Sequence, residues 1–402
     1  MMGSRVKIVV GLGFGDEGKG TSCAYLARET QAHTVIRFNG GGQAAHTVIE
    51  DDGRRHTFAQ FGSGTFNGAR THLSRFMLVN PTTLINEEKA LREIGVTDAY
   101  ERMTIDGDAL VTTHWHMMAN RWREEARGEA KHGTCGMGIG ETAACFEAHP
   151  DSAIRVRDLG NPKLLDAKLD VLRQNYIAQF SAAEHYREPH VQHWIDLASK
   201  LRIVDGEETR KILERDGTVI FEGAQGVLLD QDFGFAPHNT WTKTTFENAE
   251  TLIAEALPNV SSVRRIGVLR SYMTRHGAGP MVTESGLKFP EPHNGDDGFQ
   301  GKFRTGELDF PALTYAIRCV AGVDEIAVTH MDRIPEHVCL NYTTAFRPDA
   351  SYLATCRPVY HRLRFHNDAE LLDIIQSELG APVTLTSWGP KTGDKRKRSQ
   401  WT

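Results

Sequence analysis

No stretch of about 18 consecutive apolar residues occurs in the sequence, and its start carries no charged segment followed by an apolar run. Membrane spanning and secretion therefore lack a signal, and a cytoplasmic location is expected. Cysteine is sparse and scattered. Cys23, Cys135, Cys145, Cys319, Cys339 and Cys356 form no CxxC pair and no CxxC…HxxxH pattern, which argues against structural zinc and a disulfide framework and for reduced, mostly buried thiols. Positive charge is not in excess: 46 Lys and Arg face 52 Asp and Glu, a formal net charge of -6. The surface as a whole gives no reason to expect nucleic acid as a partner, so any polyanion must be met locally. Internal repeats, low-complexity linkers and sharp shifts of composition are also missing, which favours one elaborated domain over residues 1–402.

What is present first is a short apolar, β-branched run, VKIVVGLGF at 6–14, followed by GTSCAYLARET at 20–30, which has the length and residue types of a helix. A second β-rich run, TVIRF at 34–38, completes a βαβ unit. Further strand candidates lie at 218–222, 265–269 and 325–329, separated by segments long enough for crossovers. The expected class is α/β, with a mostly parallel central sheet flanked by helices and a P-loop-like opening. Helical insertions are expected near 83–130 and 161–215, where charged and apolar residues alternate at helical spacing. The basic tail, GPKTGDKRKRSQWT, reads as an exposed terminus.

Chemistry concentrates at Gly13–Gly20, which fits GxxxxGK between a strand and a helix. Backbone N–H groups at such a turn, the helix dipole and the Lys19 ammonium all favour phosphate. An ordinary P-loop follows the lysine with Ser or Thr, whose hydroxyl binds magnesium, but here the position is Gly20. Asp16 is the nearest hard oxygen donor and could also serve as a general base; the other reading is a helix N-cap.

GDEGKG at 15–20 is similar to the signature of the adenylosuccinate synthetase family, and further segments agree with that family in order over most of the chain. Asn39–Thr47 resembles its glycine-rich loop ending in histidine and threonine; His132–Gly140 resembles the loop for the 5′-phosphate of the purine nucleotide. Phe221–Gly226 is a close match, Gly277–Pro280 looks like another family loop, and Arg304–Asp309 resembles the segment after the amino-acid loop. Val328–Asp332 stands where the family reads guanine with TKxD, and Ser387–Pro390 matches the loop over that base. The resemblance implies a carbon–nitrogen ligase of purine biosynthesis that uses GTP and Mg2+. It phosphorylates the 6-oxo group of an IMP-like nucleotide and replaces it with the amine of aspartate. It further implies Asp16, His46 and Lys19 as catalytic residues, Asp16 and Ala45 at the metal, and a homodimer. Gly15, Glu17, Gly18, Gly20, Gln43, Thr134, Gln225, Thr240, Arg304, His330, Asp332, Ser387 and Gly389 are its expected nucleotide contacts. Asp332 would accept from N1–H and the 2-amino group of guanine.

Several positions depart from the family pattern. Gly295–Phe303 contains Asp296 and Asp297 where paired threonines and consecutive arginines stand in the family, and two carboxylates would repel a dicarboxylate. The arginine that a partner subunit lends to the nucleotide phosphate has no clear counterpart in Asp151–Arg155, unless Arg155 or Arg157 serves. Gln43 replaces asparagine, Met137 arginine and His330 lysine. A divergent ligase for another amino acid or another 6-oxopurine nucleotide, such as a guanine nucleotide, stands beside the ordinary reaction. A P-loop kinase or GTPase accounts for residues 13–19 only, and a non-catalytic nucleotide-binding regulator accounts for the acidic pair but not for Asp16, Lys19 and His46.

Overall fold

The computed structural model describes residues 3–188, 191–256, 260–291, 299–364 and 368–398. The opening unit forms as the apolar pattern requires: β1 (Arg5–Gly11), α1 (Lys19–Thr30) and β2 (Thr34–Arg37). Val6, Ile8, Val9 and Val10 of β1 are all buried, so side chains on both faces of the strand enter the core. That is why its sequence is a continuous apolar run rather than an alternating one. His46–Ile49 (β3) and Arg55–Phe58 (β4) pair as a small antiparallel ribbon beside the sheet, and Arg70–Leu73 (β5) joins β2 in parallel.

Among the described residues the main sheet has ten strands. From one edge they run Lys395–Lys397, Val383–Ser387, Glu325–Thr329, Ser262–Arg270, β1, Thr218–Gly226, β2, β5, Met103–Asp106 and Arg202–Val204. Every neighbouring pair is parallel except the first, Val383–Ser387 with Lys395–Lys397. The chain builds outward from β1 to Arg202–Val204, returns to the middle with Thr218–Gly226, and then builds outward the other way. Such a reversal leaves a crevice at the carboxyl ends of the central strands, where ligands bind in open α/β sheets.

Two segments differ from a purely helical reading. The helices Pro81–Glu93 and His114–Arg127 enclose Met103–Asp106, and Pro162–Ile177 and Glu207–Glu214 enclose Arg202–Val204. Both short strands extend the main sheet. Segments of four and three residues inside helical stretches are too brief to show a period of their own. The basic tail differs as well: Lys395–Lys397 closes an edge of the sheet and Lys395 is buried, its Nζ donating to the Lys391 carbonyl at 2.7 Å. The six cysteines are free thiols. Among the described residues no helix is long and apolar enough to cross a membrane.

Candidate active site

A cavity of about 810 Å³ opens at the carboxyl ends of the central strands, a size that accommodates small-molecule ligands. One wall is the loop between β1 and α1. Gly18 is the N-cap of α1 at φ 87, and no side chain caps the helix. Asp16 is therefore not the cap; it lies in the turn at φ 60, with its carboxylate facing the cavity. Glu17 turns the other way. It is buried and accepts from the N–H groups of Gly13 at 3.1 Å and Gly15 at 2.8 Å, and from Lys19 Nζ at 2.6 Å. The Glu17 carboxylate does not line the cavity, because it is consumed in holding the loop.

The absence of Ser or Thr at position 20 has a steric cause. A Cβ on Gly20 would lie 2.4 Å from Cβ of His46, closer than two carbons approach. The first turn of α1 is bare so that β3 can bring His46 against it. His46 Nδ1 lies 2.5 Å from Glu222 Oε1, and Glu222, fully buried on Thr218–Gly226, also accepts from the backbone N–H of Ser63 at 2.8 Å. Burial alone would push the Glu222 carboxyl up, but the hydrogen bond from His46 and the charge of Arg37 outweigh it and hold the group ionised. Burial pushes His46 below its ordinary value against the pull of Glu222. A carboxylate on Nδ1 fixes the ring and favours the imidazolium once anionic phosphate arrives. Glu222 was quoted in the FEGAQG segment without a role; a buried acid opposite a loop histidine is the signal that marks it.

Asp16 is held from two sides. Arg270 Nε donates to its carbonyl at 2.6 Å, and His276 Nε2 lies 3.1 Å from Oδ2. Burial raises its pKa, but the His276 hydrogen bond and the nearby Arg270 and Lys19 charges outweigh this and bring it to about 2. Arg270 also donates to Glu291 at 2.6 Å and to the Tyr272 hydroxyl at 2.7 Å. His276 directly precedes the loop Gly277–Pro280 and Arg270 lies six residues before His276, yet no sequence motif marks either.

Gln43, Thr134, Gln225 and Thr240 line the cavity. The Gln43 amide has both Oε1 and Nε2 buried with no partner among the described residues; such atoms are costly unless a ligand meets them. Thr134 Oγ1 is tied to Asn120, and the N–H of Gly133 donates to Glu124 at 3.0 Å. His330, Asp332, Ser387 and Gly389 line the cavity as well. His330 is tied back to the phosphate loop, since Thr329 Oγ1 lies 2.8 Å from its Nδ1 and donates to the Glu17 carbonyl at 2.7 Å. Burial, followed by the charges of Arg270 and Arg333, pushes the His330 ring well below its ordinary value, so it presents a neutral face. Asp16, Gln225 and His330, at φ 60, 63 and 58, are non-glycine residues in the left-handed region, and all three line the cavity. Backbone strain of this kind clusters at functional sites.

Gly15, Gly18, Lys19, Gly20, Ala45 and His46 also line the cavity, whereas Arg304 does not. Its guanidinium is held by Glu284 at 3.0 Å and by the carbonyls of Gly277 and Gly279 at 2.9 and 2.8 Å. Arg155 donates to the Asp108 carbonyl at 2.7 Å and Arg157 pairs with the Asp108 carboxylate, both away from the cavity. The acidic pair Asp296–Asp297 lies outside the described residues.

Fold and site together define a P-loop-like α/β protein in which Asp16, Lys19 and His46 gather on one cavity at the turn between β1 and α1. The chain matches the family model of adenylosuccinate synthetase over residues 8–395. Among curated relatives, the adenylosuccinate synthetase of Mycoplasma mycoides subsp. mycoides is 32% identical, covering 89% of this chain and 85% of the relative. That of Thermoplasma volcanium is 29% identical, covering 96% and 95%. Two solved structures share the fold. The fully ligated adenylosuccinate synthetase from Plasmodium falciparum aligns with a TM-score of 0.83 at 22% identity, covering 98% of this chain and 100% of that one. The cyanophage S-2L succinoaminodeoxyadenylate synthetase bound to dGMP and dATP as an energy donor aligns at 0.66 and 20%, covering 98% and 95%. The chain belongs to the adenylosuccinate synthetase family, a family of GTP-dependent carbon–nitrogen ligases.

Proposed function

We propose that the protein phosphorylates the 6-oxygen of an IMP-like purine nucleotide with GTP and replaces it with the amine of an amino acid such as aspartate. The observation that carries this reading is the gathering of Asp16, Lys19 and His46 on one cavity whose lining also holds Gln43, Gln225, His330 and Asp332. Asp16, ionised and facing the cavity, takes the N1 proton, and the electron pair released into the ring lets the 6-oxygen attack the γ-phosphoryl group. Lys19, the backbone N–H groups of the loop and the His46 imidazolium share the charge that builds up during transfer, the main catalytic task in phosphoryl chemistry. The amine then displaces phosphate from carbon 6.

The donors available to Mg2+ are a carboxylate, Asp16, and the backbone carbonyl that Ala45 can offer. The Asp16 side chain is 35% exposed, and no group of three or more His, Cys, Asp or Glu that could hold a metal forms among the described residues. Hard oxygen donors in small number suit a magnesium ion that takes the rest of its shell from nucleotide phosphates and water. Bound there, it would neutralise phosphate charge. Asp332 supports GTP as the donor because a carboxylate matches the N1–H and 2-amino edge of guanine. A homodimer in the cytoplasm is part of the same reading.

A second reading, another amine or another 6-oxopurine nucleotide, is favoured by one observation: Arg304 is occupied by Glu284 and Met137 stands outside the cavity. The test is a product screen by mass spectrometry with GTP, magnesium, a panel of 6-oxopurine nucleotides and all common amino acids. The expected result is an adduct of IMP and aspartate with release of GDP and phosphate. GTP cleavage that needs no purine nucleotide would refute both readings, and an adduct with another amine or nucleotide would select the second.

A further inference from the structure

We infer that His276 is a positioning residue for phosphoryl transfer: it donates Nε2–H to one oxygen of Asp16 and so sets the direction of the other. The inference rests on the function proposed above and adds a residue to its machinery. The backbone at Asp16 is already fixed by its left-handed φ of 60° and by Arg270 on its carbonyl. The carboxylate still has its own rotations. Two cations stand near it, but Lys19 is paired with Glu17 at 2.6 Å and Arg270 with Glu291 at 2.6 Å. His276, 3.1 Å from Oδ2, is the side chain whose contact decides where the carboxylate points.

The imidazole is itself fixed. It ends the strand Met273–His276, which pairs antiparallel with Phe303–Gly306 so that His276 stands opposite Phe303. The two rings pack with centroids 5.0 Å apart and planes at 58°, and the imidazole is 17% exposed. A carboxylate only accepts hydrogen bonds, so the contact requires the proton on Nε2. An apolar side chain at 276 would leave Oδ2 to water or let the carboxylate swing toward Lys19, away from a base's approach to N1. Misplacement on this scale is costly because proton abstraction and phosphoryl transfer demand close alignment.

The experiment compares wild type, H276V and H276Q. It measures kcat, the KM of each substrate, and positional exchange of 18O from the β–γ bridge of labelled GTP with purine nucleotide present and amine absent. That exchange reads phosphoryl transfer alone. H276V is expected to lower kcat and exchange together by about 10–100-fold, the usual effect of losing a supporting hydrogen bond, with little change in the KM of GTP or purine nucleotide. H276Q, whose amide can donate in the same direction, is expected to recover most of both. Wild-type exchange in H276V, an effect confined to the KM of the amine, or an H276Q no better than H276V would overturn the inference. Wild-type protein with no purine-dependent exchange would instead overturn the proposed function on which it rests.

Discussion

Replacing Glu222 by Gln tests whether His46 acts as a charged group during transfer. The substitution keeps shape and burial. The Ser63 N–H, now 2.8 Å from Oε2, would take the amide oxygen, which leaves the amide nitrogen toward His46 Nδ1 and the Ser63 hydroxyl. An amide N–H facing Nδ1 supports a neutral ring and opposes the imidazolium. The stabilisation lost is that of a buried hydrogen bond to a charged group, about 1.5–3 kcal/mol, which corresponds to roughly 10–150-fold in kcat. Phosphate release from GTP, at saturating purine nucleotide and amine, is the assay, with GTP affinity measured by calorimetry and folding by thermal melting. Because Glu222 and His46 would act as one unit, H46N and the double variant E222Q/H46N should be equally slow. A kcat for E222Q within threefold of wild type, or full multiplication of the two defects in the double variant, would refute the coupling.

D16N is expected to lower turnover by at least about 100-fold, as for loss of a general base, while calorimetry still detects nucleotide binding; undiminished turnover would remove Asp16 from the mechanism. G20S restores the hydroxyl of an ordinary P-loop, yet its Cβ would meet that of His46 at 2.4 Å. Turnover should fall by about 100-fold through displacement of the histidine, and wild-type turnover would show that the contact is harmless. Glu307 is buried with Oε2 lacking a partner among the described residues, and burial pushes its carboxyl up to about 7 against the opposing Ser285 hydrogen bond. A carboxyl raised in the folded state contributes stability below its unfolded pKa, near 4.5, that is lost as pH rises through 7. E307Q should therefore have a higher urea midpoint than wild type at pH 8.5 and lose that advantage by pH 4.5; an advantage independent of pH would contradict the assignment.

The central strands were legible because burial on both faces writes itself as an uninterrupted apolar run, as in β1. The turn between β1 and α1 was legible because its glycines and Lys19 lie in one short run. Arg202–Val204 left no period to read, since a three-residue strand shows one and a half alternations. Glu222 and His276 were unreadable as partners for a different reason: the sheet order, not the sequence, sets them beside residues far away, His46 being 176 positions before Glu222. The left-handed backbones of Asp16, Gln225 and His330 are nearly as silent, because Asp and His are only enriched at positive φ, not confined to it, and Gln carries no such signal.

Gly20 joins what could be read to what could not. Taken alone, a glycine after Lys19 is a defect in a familiar motif, since it removes a magnesium ligand. In the structure the missing side chain is the space His46 occupies, and His46 in turn is fixed by Glu222 from Thr218–Gly226 of the main sheet. The hard oxygen the motif lacks at position 20 stands four residues earlier, at Asp16, where a φ of 60° turns it to the cavity and Glu17 holds the loop in shape. Three apparent irregularities, a missing hydroxyl, a strained aspartate and a buried glutamate, are therefore one arrangement. A histidine can stand against the first turn of α1 only if position 20 carries no side chain, and a metal that an ordinary P-loop would hold there would then have to draw a protein oxygen from elsewhere in the loop.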